Sequence, residues 1–344
     1  MSAAATTSES VQRAARPAFL ITIDTEGDNI WARPGTTTTE NALFLPRFQA
    51  LCEQHGLKPT YLANFEMACD VRFVKFAKAA VASDAAEVGA HLHAWNSPPI
   101  RALTADDNRF HPYLTEFPAD VMAEKLSFIT HLLEERLEHK MMSHRGGRWA
   151  LDETYARLLV DHGYLVDCSV TPHVSWARSG TQPAGIAGPD FRNFPERPYW
   201  IDPADISRPG RSRLLEAPMT IRWAQRPLTR ILRPIPGLGG YLYRRRPELR
   251  WLRPNGTNLD DMLCLCDEVV MERAPYAMFM LHSSEFMPGG SPAFPTTGSI
   301  ERLYEHLQTL FARVRDKFTG TTLTQFQKSF TNTRDSMPIK PGAV

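Results

Sequence analysis

No stretch of the sequence comes near the roughly 18 consecutive uncharged apolar residues that a membrane-spanning helix requires. The opening residues, MSAAATTSESVQRAARP, also lack the apolar segment of about 7 to 15 residues that marks a secretory signal. They read as a disordered tail, residues 1–16, on a protein expected to be cytoplasmic. An excess of charge of either sign is absent too. Against 39 Lys and Arg stand 38 Asp and Glu, so a net charge of +1 gives no global attraction to nucleic acid, and no such partner is expected. Cysteine is sparse: Cys52, Cys69, Cys168, Cys264 and Cys266 are odd in number and scattered, which argues against a disulfide framework. No internal repeat or low-complexity linker divides the chain.

What is present is an ordinary globular composition, 43% hydrophobic and 22% charged, over 344 residues. Short apolar runs alternate with amphipathic stretches, the rhythm of an α/β protein. Strands are expected at 18–23, 60–63, 87–90, 140–143, 164–166, 213–215 and 277–281. Helices are expected at 42–55, 71–82, 119–139, 152–162, 259–273 and 299–317. In the helix over 119–139, Leu126, Ile129, Leu133 and Leu137 recur at helical spacing. About seven parallel strands with surrounding helices suggest a closed or partly closed barrel. A single domain over 17–326, followed by a C-terminal tail at 327–344, accounts for the pattern. Two long polar connections, 96–118 and 175–211, depart from the rhythm and are placed where barrels build substrate pockets.

The polar residues that need explaining follow predicted strands: Asp24 and Glu26, His91 and His93, Arg145, Asp167, Glu216 and His282. In parallel α/β folds the C-terminal strand ends converge on one face, so these groups are expected to share one mouth. The i, i+2 spacing of Asp24 with Glu26, and of His91 with His93, sends both members of each pair the same way along an extended strand. Two imidazoles and a carboxylate with open coordination positions suit zinc or another divalent ion. Taken singly, each residue also fits a structural role, as a turn cap, a buried hydrogen-bonded histidine or a paired arginine.

Five motifs occur in order: TIDTEGD (22–28), EVGAHLHAW (87–95), HRGGRW (144–149), DCSVTP (167–172) and LHSSE (281–285). With them the chain resembles the polysaccharide deacetylases, the NodB-homology group of carbohydrate esterases, and most closely a WalW-like branch associated with lipopolysaccharide biosynthesis. The resemblance implies a deformed (β/α) barrel and a metal-dependent hydrolase that removes an acyl group from an N-acylated sugar. It implies Asp24 as catalytic base, Arg145 as the residue that holds it, His282 as general acid and Asp167 as the residue that orients the acid. Glu26, His91 and His93 would be the metal ligands, with zinc the metal expected, and Trp95, Arg148 and Glu216 would bind substrate. Two departures from the common pattern stand out: Thr25 occupies the place of a second aspartate, and Trp95 that of a second histidine. These leave room for a non-catalytic glycan- or partner-binding member, for a metal-free amidohydrolase, and for a deformylase acting on a lipid-linked sugar.

Between residues 222 and 253 nine arginines (222, 226, 230, 233, 244, 245, 246, 250, 253) face one acid, Glu248. With aromatic and aliphatic residues interleaved, this insertion suits an anionic membrane surface, here the inner membrane face, or a phosphate-bearing glycan intermediate. Pairing of the arginines with acids elsewhere in the fold accounts for it equally well.

Overall fold

Strand β1 (Ala18–Thr25) is buried along its whole length on both faces, the signature of a strand inside a parallel sheet covered by helices. The computed structural model describes residues 16–33, 36–177, 188–224 and 248–335. After β1 come α1 (Leu45–Gln54), β2 (Pro59–Ala63), α2 (Phe65–Cys69), α3 (Val71–Ala82), β3 (Glu87–Leu92), the short α4 (Asp107–Phe110), α5 (Ala119–Leu137), β4 (Ser143–Gly146), α6 (Glu153–Asp161) and β5 (Val166–Asp167). The second half contributes β6 (Tyr199–Asp202), β7 (Asp205–Pro209), β8 (Leu215–Glu216), β9 (Ile221–Trp223), β10 (Leu249–Trp251), α7 (Leu259–Met271), β11 (Tyr276–His282), α8 (Thr297–Arg315), β12 (Thr319–Gly320) and α9 (Leu323–Asp335).

The main sheet runs in the order β11-β1-β2-β3-β4-β5-β8-β6-β7. Its first seven strands are mutually parallel, and they correspond to the seven expected ones. Together they form the curled, mostly parallel half-barrel anticipated as a deformed (β/α) barrel. Local chemistry explains the helix starts: the Asp70 carboxylate accepts from Arg72 N and Phe73 N at the head of α3, and that of Asp152 accepts from Tyr155 N at the head of α6. Leu126, Ile129, Leu133 and Leu137 are buried on the inner face of α5, and Ile300, Leu303, Leu307, Leu310 and Val314 do the same for α8.

Three expectations need correction. Strand β4 begins at Ser143 rather than Lys140, so the polar segment Ser-His-Arg-Gly is itself the strand. It is buried because neighbours on both sides supply its ladder bonds. The connection at 175–211 contains the antiparallel pair β6 and β7, which lacks a hydrophobic alternation strong enough to show in sequence. The chain does not end its structure at residue 326: α9 continues to Asp335, held by Phe326 against Tyr276 and by Phe330 against Trp200, at ring separations of 5.1 and 6.2 Å. Cys264 is exposed on α7 while Cys266 is buried. Most of the arginine-rich insertion, residues 225–247, lies outside the described residues, as do 1–15 and 336–344. Its three described arginines are all paired with acids: Arg222 with Glu272, Arg250 with Glu268 and Arg253 with Glu285. No helix among the described residues is long and apolar enough to cross a membrane.

Candidate active site

Parallel register sets the site. Asp24 pairs across the ladder with His282 on β11, and His91 on β3 pairs with Arg145 on β4. In-register neighbours on parallel strands point to the same face, so four residues scattered over the sequence arrive at one mouth. There Asp24, His91 and His282 line a cavity of about 270 Å³ together with Glu26, His93 and Arg148, with Arg145 buried behind Asp24.

Asp24 is buried, and Arg145 Nη1 donates to its Oδ1 at 2.6 Å. Arg145 has no exposed surface, and its other nitrogens are spent on Thr22 Oγ1 at 2.8 Å and the Cys168 carbonyl at 3.0 Å. Burial alone would raise the Asp24 carboxyl, but the Arg145 guanidinium, helped by His91 and His282, outweighs it and holds the group below the usual carboxylate range.

Glu26 lies one residue beyond β1 and reaches the cavity because side chains alternate: Asp24 and Glu26 share a face, while Thr25 turns away and bonds the Ile23 carbonyl at 2.9 Å. The position expected to be a second aspartate thus points into the core, and the acid one residue later takes its place. The Glu26 backbone is clamped by Ser283, whose hydroxyl accepts from Glu26 N at 3.1 Å and lies 3.2 Å from its carbonyl. Its Oε2 is 2.8 Å from His93 Nε2 and 3.4 Å from His91 Nε2. Burial opposes ionisation of Glu26, yet bonds from the two imidazoles hold it well below the ordinary carboxylate range.

His91 Nδ1 sits 2.9 Å from the Arg145 carbonyl. A carbonyl only accepts, so Nδ1 carries a hydrogen, and in the neutral ring Nε2, the nitrogen facing Glu26 and His93, is the one left free for a metal. One donor atom from each of Glu26, His91 and His93 lies within 4.8 Å of the others. Glu26 Oε1 is buried without a hydrogen-bond partner among the described residues. This donor set, with an orphaned carboxylate oxygen and a correctly oriented imidazole, fits a divalent ion of the zinc type.

His282 stands opposite, its Nε2 3.9 Å from Asp24 Oδ2 and 3.6 Å from Glu26 Oε1. Its Nδ1 lies 3.1 Å from Glu285 Oε2, which also accepts from the His282 backbone N–H at 2.8 Å. Arg253 pairs with Glu285 in turn. The residue that orients the expected acid is therefore Glu285 and not Asp167. Asp167 bonds His144 Nδ1 at 2.7 Å and accepts from Ser169 N at 2.9 Å. His144 and Arg145 are adjacent on a strand and so face opposite sides; Asp167 lies with His144 on the side away from the cavity.

Glu216, expected to bind substrate, is fully buried in the same row and pairs across the ladder with Asp167. Its Oε1 accepts from Val170 N at 3.0 Å, and burial beside Asp167 raises its carboxyl above the usual range. Trp95 does not line the cavity either. Its ring packs against His93 at 4.3 Å, tilted by 51°, and the Arg148 guanidinium lies over it at 5.3 Å, so it touches both. Of the three residues expected to bind substrate, only Arg148 reaches the cavity. Sequence reasoning passed over Glu285, three residues after His282, and it assigned no role to Trp31, Trp149 and Trp176, which supply the aromatic walls.

No protein-family model matches this sequence, and no curated protein matches it. Among solved structures, the chain is similar to a Mycobacterium smegmatis protein assigned to the polysaccharide deacetylases. The two are 13% identical with a TM-score of 0.53, covering 100% of this chain and 99% of that one. The fold is that of the polysaccharide deacetylases. The deacetylase fold also extends to Puue allantoinase, 15% identical with a TM-score of 0.54 over 95% of this chain and 94% of that one.

Proposed function

We propose that this chain is a metal-dependent hydrolase that removes an N-acyl group, acetyl in the simplest case, from a sugar. The observation that carries the reading is the convergence in one cavity of an arginine-held carboxylate, a three-donor cluster and a histidine oriented by a carboxylate. A divalent ion held by Glu26, His91 and His93, zinc being the one expected, would supply Lewis acidity toward the acyl carbonyl. Asp24, kept ionised by Arg145, takes the proton of the attacking water as a C–O bond forms to the carbonyl carbon. His282 delivers a proton to the sugar nitrogen as the C–N bond breaks, and Glu285 keeps the imidazole aimed. The aromatic walls offer apolar faces to a sugar ring. On the strength of the sequence resemblance, the sugar comes from surface-glycan or lipopolysaccharide assembly.

The test combines acetate release from N-acetylated amino sugars with metal content per chain. Wild type should carry close to one divalent ion and release acetate; Asp24→Asn and His282→Ala should lose about 10² to 10⁴ in rate, and His91→Ala should lose the metal. Acetate release that survives both chelation and loss of Asp24 would overturn the reading. Release that survives chelation but still needs Asp24 and His282 would replace it with a metal-free amidohydrolase.

A further inference from the structure

Charged groups lining the cavity are answered in turn, with one exception. Asp24 is answered by Arg145, Arg253 by Glu285, and Glu26 by the two imidazoles. Arg148 has no carboxylate at ion-pairing distance among the described residues; its one side-chain hydrogen bond is a long 3.5 Å contact to Asn108 Oδ1. Largely removed from water, the guanidinium is pushed below its ordinary value by burial. A half-buried guanidinium met by an aromatic face but by no carboxylate of the described residues keeps donors that an incoming anion would satisfy.

The backbone that presents it is strained. Arg148 has φ 54° and the next residue, Trp149, φ 65°, two successive non-glycine residues in the left-handed region. Gly146 and Gly147 permit the turn: a Cβ on Gly147 would lie 2.6 Å from both His93 Nδ1 and the Leu92 carbonyl. The result aims Arg148 at the cavity from over the Trp95 ring and sets Trp149 nearly parallel to Trp176, 15° apart at 6.4 Å. Trp149 also places its ring 4.9 Å from the Arg145 guanidinium, so the turn backs the Asp24 clamp on one side and presents Arg148 on the other.

We propose that Arg148 is the receptor for an acidic group, a carboxylate or phosphate, on the substrate, so that the enzyme acts on anionic rather than neutral N-acylated sugars. The inference rests on the sugar-hydrolase reading above. Once a divalent ion offsets Glu26 beyond neutrality, the cavity as a whole is positive, which favours the same class of ligand. A guanidinium presents a planar fork that matches both anions, and a charge-assisted bond of this kind is worth about 10- to 100-fold in binding.

The experiment is calorimetric titration of wild type, Arg148→Gln and Arg148→Lys with three probes: N-acetylglucosamine, its 6-phosphate and N-acetylmuramic acid. Acetate release is followed separately on the same three. Wild type should bind at least one acidic probe about 10- to 100-fold more tightly than the neutral parent. Arg148→Gln should bring that ratio close to one, and Arg148→Lys, which keeps the charge, should restore part of it. The phosphate and carboxylate arms show which anion the site takes. A ratio near one in wild type, or a ratio that Arg148→Gln leaves in place, overturns the proposal. Acidic preference in binding without any acetate release would remove the hydrolase reading and leave the anion receptor standing.

Discussion

The carbonyl of Arg145 accepts from His91 Nδ1 at 2.9 Å, while the guanidinium of the same residue holds Asp24 at 2.6 Å. One residue thus fixes the tautomer of a metal-ligand candidate with its main chain and the ionisation of the candidate base with its side chain. The two roles separate on mutation, since a substitution keeps the carbonyl and loses the fork.

Arg145→Lys should therefore retain metal while its activity shifts in pH. As the proposed base, Asp24 would work as the anion, so activity should fall as pH drops through its pKa. Weaker pairing raises that pKa, and the acid limb of the kcat/KM profile should move to higher pH. An unmoved limb with metal retained would show that Arg145 does not govern Asp24.

Gly147→Ala should act on the metal rather than on stability alone. The new methyl would meet His93 Nδ1 and the Leu92 carbonyl at 2.6 Å, and His93 is the group able to give way. Loss of about 10- to 100-fold in zinc affinity, the usual scale for disturbing a ligand's support, is expected by competition with a chromophoric chelator. Unchanged affinity would mean that His93 is not a ligand.

Glu285→Gln should lower kcat by at least about tenfold with little change in KM, because the amide can hold Nδ1 in the wrong tautomer. Asp167→Asn, by contrast, should lower thermal stability, since it breaks a buried bond to His144 on the far side of the sheet. Steady-state kinetics beside a melting curve distinguishes the two; a kcat loss confined to the Asp167 variant would reverse the assignment.

Glu66 gives a test of stability against pH. Burial pushes its carboxyl up to about 7 from 4.5, only partly offset by the bond from Asn96 Nδ2 at 2.5 Å, and its second oxygen is buried without a partner among the described residues. A folded-state pKa above the unfolded one contributes stability at low pH that is lost as pH rises from 4.5 through about 7. Glu66→Gln removes the titration, so its urea stability should stay flatter than wild type between pH 5 and 7.5. Parallel curves would show that Glu66 does not titrate in this range.

Much of this site could be read from residue order, because strand ends in a parallel sheet are few and the polar residues that follow apolar runs stand out. Asp24, Glu26, His91, His93, Arg145 and His282 were reached that way and are brought together. Asp167 and Glu216 follow apolar runs equally well, but alternation puts them with His144 on the other face, and a shift of one residue in the expected end of a strand is enough to hide that. Trp95 was misplaced because it lies past the end of β3, where period two no longer predicts direction. Glu285 and the tryptophan walls come from turns whose shape depends on tertiary contacts, and no periodic signal marks them.

The pairing of Asp24 with His282 across two adjacent strands has a practical consequence for changing what the cavity accepts. Their spacing is fixed by backbone hydrogen bonds of the sheet, about 4.8 Å from strand to strand, and not by any connecting segment. Segments such as 96–118, which brings Tyr113 to the cavity, can be exchanged or lengthened while the reacting distance stays constant. Grafting these segments from proteins of the same fold is therefore the route to changed ligand preferences, whereas inserting a single residue within β1 or β11 would throw Asp24 and His282 out of phase.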